Sequence, residues 1–237
     1  MTRLSVNVNK VASLRNARGG NNPNLVQIVK DCQLFGAQGI TVHPRPDERH
    51  ITINDVYEIS KIVTKNYNIE GYPDDRYLKI IKDIKPEQAT LVPDSPNVVT
   101  SNIGWRLSDN SISLKDIIEK IHESNVKVSL FIDPDKTMID FAKESGVDRV
   151  EFYTGTYAKQ YALNNKFIIN RYHEAHDYAL LNELQVNAGH DLDLNNLYYL
   201  KKHLPDLFEV SIGHALISDS LYYGLKKTIK MYLSKLK

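Results

Sequence analysis

The sequence has little of several things, and each shortage excludes a class of protein. Cysteine occurs once, as Cys32, so no intrachain disulfide can form. It falls in an apolar-periodic stretch, LVQIVKDCQLFGAQG, which reads as a helix with a buried structural thiol. No stretch approaches the ~20 apolar residues needed to span a bilayer, and MTRLSVNVNK lacks the apolar run of a signal peptide. A cytoplasmic protein with no membrane partner is the expectation. Charge of one sign is not in surplus either. Thirty Lys and Arg stand against 29 Asp and Glu, for a net +1, so no global field favours nucleic acid. Local basic clusters remain free to bind small anions.

Metal motifs are also missing. His173 and His176 in RYHEAHDYA stand three apart without the partner of an HExxH site, and read as a solvated helix face. Asp133 in SLFIDPDK has no second carboxylate at ligand spacing, so neither a structural nor a catalytic metal is expected. The tyrosines of NNLYYLKK and DSLYYGLKK have helical spacing and read as core or interface rather than as platforms for bases.

What the chain does have is alternation. Eight β-rich runs can be read: LSVNVN, GITVHP, NIEGY, QATLVP, KVSLFID, RVEFYT, LQVNAGH and FEVSIGH. Between them lie amphipathic helical patterns such as NDVYEISKIVTKN, DDRYLKIIKDI, SLKDIIEKIHES, TMIDFAKESG and LNNLYYLKKHL. Strands alternating with helices imply a parallel sheet, and eight units in 237 residues are the count of a closed (β/α)8 TIM barrel. An open doubly wound sheet is the alternative. No Pro/Gly/Ser-rich linker interrupts the sequence, so residues 1–237 read as a single domain.

Parity within the strands carries functional information. Val6, Ile40, Val42, Leu130, Ile132, Val150, Phe152, Val210 and Ile212 fall on one face, for the outer helices. Asn7, Asn9, Thr41, His43, Ser129, Asp133, Glu151, Tyr153 and Ser211 fall on the other, facing the lumen. Lumens are normally filled by branched apolar residues, so this polar set predicts a wet, functional upper layer. Several polar groups end strands, at the rim where βα loops carry active sites: Asn9 with Lys10, His43, Glu70, Asp133, Tyr153, His190 and His214.

Five segments hold the candidate chemistry. In ITVHPRPDERHIT, His43 is a group that can take or give a proton near neutral pH. Arg45, Arg49 and His50 follow it, the arginines suited to phosphate, although a solvated loop is the plainer reading. In NIEGYP, Glu70 is a lone carboxylate whose burial would make it a better base, or else it pairs with a rim arginine. In VNAGHDL, Gly189 allows close approach, His190 projects at the strand end, and Asp191 offers an acceptor or a partner for a substrate amine. In VSIGHALI, Gly213 and His214 open a helix whose N-terminal amides and dipole favour an anion. In NKVASLRNARGG, Arg15 and Arg18 flank a polar loop that reads as a mobile, anion-gathering lid.

Taken in order, VNVNKVASLRNARGG, GITVHPRPDERHI, NIEGY, LVPD, VTSN, VSLFIDPD, VEFYTGTYA, VNAGHDL and VSIGHALI resemble the pyridoxine 5′-phosphate synthase family over nearly the whole chain. The resemblance implies a TIM barrel with extra peripheral helices. It also implies a homo-oligomer, an octamer in that family, and a cofactor-free condensation of two small phosphorylated substrates, 3-amino-2-oxopropyl phosphate and 1-deoxy-D-xylulose 5-phosphate. It places His43 and Glu70 as proton acceptors and His190 as proton donor. Asn7, Arg18, Asp191, Gly213 and His214 would hold the aminoketone phosphate, and Arg45, His50 and Ser101 the deoxyxylulose phosphate. Asn9, Lys10 and Glu151 are further candidates. The chain departs from the family pattern at Asn9-Lys10, where Asp-His is usual, at Asp191, where Gly is usual, and at Ser101, where Thr is usual. Rival readings are another phosphate-binding barrel enzyme, of isomerase or aldolase type, and a non-catalytic phosphate-binding barrel. Neither needs the Arg18 loop together with His43, Glu70 and His190.

Overall fold

A computed structural model describes residues 1–93, 104–106 and 113–237. Ser101 lies outside the described residues. Eight parallel strands close in chain order: β1 (Arg3–Asn7), β2 (Gly39–Val42), β3 (Asn66–Gly71), β4 (Gln88–Leu91), β5 (Lys127–Ile132), β6 (Arg149–Tyr153), β7 (Gln185–Gly189) and β8 (Glu209–Ile212). Closure is by β8 on β1, with Leu4 opposite Val210 and Val6 opposite Ile212. The barrel reading is correct and the open sheet is excluded.

The outward strand residues Leu4, Val6, Ile40, Val42, Ile69, Leu130, Ile132, Val150 and Val210 are buried in one continuous apolar cluster with the helices. Burial of such residues is the main stabilising term of the fold, about 1.5–3 kcal/mol each. Inside, the polar parity holds, but the polarity is not confined to the mouth. Ser5 Oγ and Thr41 Oγ1 are 2.7 Å apart, and Thr90 Oγ1 donates to Asn68 Oδ1 at 2.8 Å. Gln88 Oε1 accepts from both Arg149 Nη1, at 2.7 Å, and Asn187 Nδ2, at 3.1 Å. Asn66 Nδ2 donates to Glu209 Oε2 at 2.6 Å. The lower lumen is therefore a hydrogen-bonded plug rather than an aliphatic one, and these bonds offset the burial of the atoms that make them, while Asn66 Oδ1, Ser129 Oγ and Asn187 Oδ1 are buried without a hydrogen bond.

Among the described residues there are eleven helices. Single helices α3 (Ile53–Ser60), α4 (Asp75–Ile84), α5 (Leu114–His122), α6 (Lys136–Ser145) and α9 (Leu197–His203) follow β2, β3, β4, β5 and β7. Two helices each follow β1, as α1 (Asn9–Arg18) and α2 (Leu25–Phe35), β6, as α7 (Gly155–Ala162) and α8 (Ile168–Leu181), and β8, as α10 (His214–Tyr223) and α11 (Leu225–Lys235). Cys32 is buried on α2, and burial pushes its thiol up to about 12, so it is a packing residue.

Two expectations are corrected here. The segment read as an anion-gathering loop is helix α1 through Arg18, and Arg15 faces the protein. Arg15 Nη1 lies 2.5 Å from Asp55 Oδ1 and Nη2 lies 2.7 Å from Oδ2, a forked pair with both side chains 10% exposed. Asp55 also closes a capping box with Thr52 at the start of α3, so one carboxylate ties α1 to α3. The second correction concerns α8. His173 is half exposed, but His176 is buried, one helical turn on from the buried Tyr172 and one before the buried Ala179. Burial holds its imidazole neutral, with its pKa lowered.

Candidate active site

Where the strands end, their last residues and the following loops wall a cavity of about 580 Å³. Of the residues singled out from sequence, the cavity wall includes Asn7, Asn9, Lys10, His43, Arg45 and His50 on the side of β1 and β2. Glu70, Glu151, His190, Asp191, Gly213 and His214 complete it from β3, β6, β7 and β8. Arg18 is not brought there: it is exposed at the last turn of α1, away from the wall. The chain thus gathers groups from residues more than 200 apart in sequence into one mouth, as parallel barrels do.

The β1–β3 side is the most tightly built. His43 Nδ1 is 3.8 Å from Glu70 Oε2, both side chains nearly buried. Asn7 Nδ2 reaches the same carboxylate oxygen at 3.5 Å. Asn9 caps the arrangement: its Oδ1 accepts from the His43 backbone N–H at 3.0 Å, and its own N–H donates to Asn7 Oδ1 at 3.1 Å. Burial drives the His43 pKa well below the usual histidine value, with help from Arg45, His50, Arg76 and Arg49. His43 is therefore a neutral base at physiological pH. His50, its ring 6.3 Å away edge-on, is pushed down to about 4 by burial, then by Arg45, Lys10 and Arg49. The Ile51 N–H donates to His50 Nδ1 at 2.9 Å, which puts the ring proton on Nε2.

The close approach that Gly189 allows, and a second one at Gly71, is made by protein side chains. A Cβ on Gly71 would meet the Tyr77 ring at 2.4 Å, and Tyr77 Oη donates to the Ile69 carbonyl at 2.8 Å. A Cβ on Gly189 would meet Glu151 Oε1 at 2.3 Å. Glu151 is fully buried at the cavity floor, and burial, then Glu70 and Glu209, raise its pKa well above the carboxylate range. It is a carboxylic acid there, able to donate a proton.

On the opposite side His190 packs edge-on against Tyr153, ring centroids 5.1 Å apart, and its Nδ1 is 2.9 Å from Asp191 Oδ2. Gly213, the residue before α10, packs on β1: a Cβ there would touch Asn7 Cβ at 3.1 Å. The α10 N-terminus thus opens at the cavity wall, where the helix's free amides favour an anion. Sequence reading assigned no site role to Phe131 and Ser211, which line the floor, although strand parity places both inward. It also missed Arg76, a cation of α4 that bears on His43 and donates to the Pro44 carbonyl; nothing local in DDRYLKII marks it. No group of three His, Cys, Asp or Glu poised to hold a metal occurs among the described residues.

A closed parallel barrel with neutral bases on one side of its mouth, a carboxylic acid at the floor and cations around the rim defines an acid–base enzyme of the (β/α)8 class. The chain belongs to the pyridoxal phosphate biosynthesis protein PdxJ family, whose model matches residues 4–237. Curated relatives carry the name pyridoxine 5′-phosphate synthase. That of Cytophaga hutchinsonii is 53% identical over 237 residues, all of both chains. That of Porphyromonas gingivalis is 52% identical over 236 residues, 100% of this chain and 99% of the relative. Among solved structures, a tryptophan synthase from M. tuberculosis superposes with a TM-score of 0.66 at 10% identity, covering 100% of this chain and 92% of that one. A phosphoribosylanthranilate isomerase from Thermotoga maritima gives 0.59 at 12%, covering 100% and 98%. Identities this low show the shared fold alone.

Proposed function

We propose that the chain is a pyridoxine 5′-phosphate synthase, condensing 3-amino-2-oxopropyl phosphate with 1-deoxy-D-xylulose 5-phosphate to pyridoxine 5′-phosphate, phosphate and water. The observation that carries this reading is the convergence of Glu70, His190 and His43, the last held neutral by burial, on one cavity rimmed by Lys10, Arg45 and Arg49. The amine of one substrate attacks the ketone of the other, so the imine joins the two substrates. The protein then has three tasks: hold two phosphates, align the carbons and move protons. His43 and Glu70 accept protons; His190 donates. Arg45 and His50, the latter neutral with its proton on Nε2, serve the deoxyxylulose phosphate, with Ser101 the third group the family pattern assigns to it. Asn7, Arg18, Gly213 and His214 serve the aminoketone phosphate, and Asp191, which the family pattern groups with them, lies on the same wall beside His190. Arg18, exposed at the last turn of α1, stands outside the cavity wall.

The working unit is a single-domain chain in a cytoplasmic homo-oligomer. Exposed Leu163, Phe167 (85%) and Leu181 around the added helices α7 and α8 support an interface there, as do Leu221 and Tyr222 on α10. Among the described residues no helix is long and apolar enough to cross a membrane. The test is turnover: the purified chain with both substrates should form a species with the absorbance of pyridoxine 5′-phosphate, and neither substrate alone should. No product at saturating concentrations of both sinks the reading.

A further inference from the structure

Asp191 follows His190 directly after β7 on the cavity wall, and a carboxylate is a poor neighbour for a phosphate. Its place in the fold suggests a different employment. His190 has φ +89° and Asp191 φ +56°, two consecutive non-glycine residues in the left-handed region. Such residues carry strain of about 1 kcal/mol or more each and persist only where the surroundings enforce them. The surroundings here are explicit. Thr154 Oγ1 lies 2.7 Å from the Gly189 carbonyl and 2.5 Å from that of His190. The Thr154 N–H donates to the Gly189 carbonyl at 2.9 Å, and Asn196 Nδ2 donates to the Asp191 carbonyl at 3.1 Å.

In an extended strand two successive side chains point to opposite faces. In this pinned turn they meet: Asp191 Oδ2 is 2.9 Å from His190 Nδ1, an atom closed to solvent. The two are at ion-pair distance without hydrogen-bond alignment, and the 56% exposed Asp191 side chain has room to turn into line. His190 is also the principal group holding the Asp191 carboxyl below its usual range, with His214 adding to it. Other ionisable groups at this corner are Tyr153 and Glu151 of β6, His214 at the start of α10, Asp193 of the same turn, and Asp133 after β5, which bears on Tyr153. Burial keeps Tyr153 and Glu151 protonated.

We propose that Asp191 is the positioning residue of His190, taking the Nδ1–H so that the ring is oriented and its protonated form stabilised, with Nε2 left to deliver a proton to substrate. The proposal rests on the condensation described above. In the dehydration a proton acceptor across the cavity, His43 or Glu70, takes a proton from the neighbouring substrate carbon, the C–H electron pair forms the new C=C bond as the C–O bond breaks, the Nε2 proton goes to the leaving oxygen, and water departs. The ring then stands neutral with its remaining proton on Nδ1, still held by Asp191, and Nε2 is reprotonated from solvent. The logic is that of a carboxylate behind a catalytic histidine.

Asp191→Asn removes the charge and keeps a residue that tolerates the left-handed backbone, whereas Asp191→Gly also relieves the backbone. With the two substrates, the alkaline limb of the kcat profile should move to lower pH in both variants by about one unit, the scale on which a lost opposite charge acts. The KM values should stay within about twofold. Unmoved profiles with raised KM would make Asp191 a substrate-holding residue and overturn the proposal, as would wild-type behaviour of both variants. An arm independent of turnover is the titration of His190 followed by NMR of ¹⁵N-histidine-labelled protein, assigned with His190→Gln. Its midpoint should fall in Asp191→Asn; an unchanged midpoint sinks the dyad. If that midpoint falls while the wild type makes no product, the pairing stands and the assigned reaction fails.

Discussion

The imidazole Nδ1 of His43 and the Oε2 of Glu70 stand 3.8 Å apart at the ends of neighbouring strands, with Asn7 Nδ2 on the same oxygen at 3.5 Å. Because β2 and β3 are in register with Val42 opposite Ile69, residues 43 and 70 are the next pair up the barrel wall. Their proximity is thus a consequence of strand pairing and not of a mobile loop. His43→Asn and Glu70→Gln should each fold normally and lower kcat by about 10²–10⁴-fold, the usual worth of a positioned proton-transfer group. If they act as one unit, the double variant should fall little below the worse single. Steady-state kinetics on the three proteins decides it, and near-wild-type turnover in either single variant removes that residue from the set.

Arg15 and Arg18 read alike in sequence and separate in structure, so their variants should separate too. Removing one partner of a buried, forked ion pair leaves the other charge stranded. Arg15→Ala should lower stability in urea by about 3 kcal/mol, the low end for such a pair, because Asp55 then lacks its guanidinium and the α1–α3 tie is lost. Arg18→Ala, at an exposed helix end, should unfold like the wild type. Equal midpoints for wild type and Arg15→Ala would return Arg15 to the anion-binding role its sequence suggested.

What made the barrel legible is a period of two. Polar residues at every second strand position could only face a lumen, and strand ends could only gather at one rim, so most of the cavity wall followed from parity. The errors share a physical cause in contacts between distant residues. Helix α1 has a thin apolar face, Val11 and Ala12, and its anchor is an ion pair to a residue 40 positions on. Gly189 signalled close approach correctly, but the approaching group, Glu151, is known only once the elements are packed. His176 sits three residues from exposed His173, a spacing that is equally that of a shared face.

Glu209, beneath the catalytic layer, sets a stability signature. Burial raises its pKa to about 7 against the donor bond from Asn66 and the pull of Arg149 and Arg3. Between the unfolded value near 4.5 and about 7 the folded state holds more protons than the unfolded one. This contribution to stability is complete below pH 4.5 and is lost as pH rises through 7. Glu209→Gln, which keeps the shape and an acceptor for Asn66, lacks that dependence. Thermal unfolding of both proteins from pH 5 to 8 should show the wild type losing ground to the variant up to about pH 7.5 and holding level above it. A difference that is flat with pH would mean that Glu209 ionises normally.

Lys10 is the rim residue with most chemical consequence, because a lysine at the mouth of a barrel proposed to take a ketone substrate could form a Schiff base. It is the second residue of α1, exposed, and on the cavity wall beside His50, whose pKa its charge helps to depress. A Schiff-base lysine is usually desolvated, in an apolar pocket or pressed by other cations, so that the free amine persists at neutral pH. Lys10 is open to water instead, at the wall of the cavity that two substrate phosphates would enter. The second substrate also brings a primary amine of its own, placed for the same attack. Lys10 is therefore expected to hold phosphate or hydroxyl as a cation. Borohydride added to enzyme with 1-deoxy-D-xylulose 5-phosphate alone should leave the intact mass unchanged, and Lys10→Met should raise KM by about tenfold while kcat falls less. A reduced adduct mapped to Lys10 would move the imine from between the substrates to the protein and make the enzyme aldolase-like.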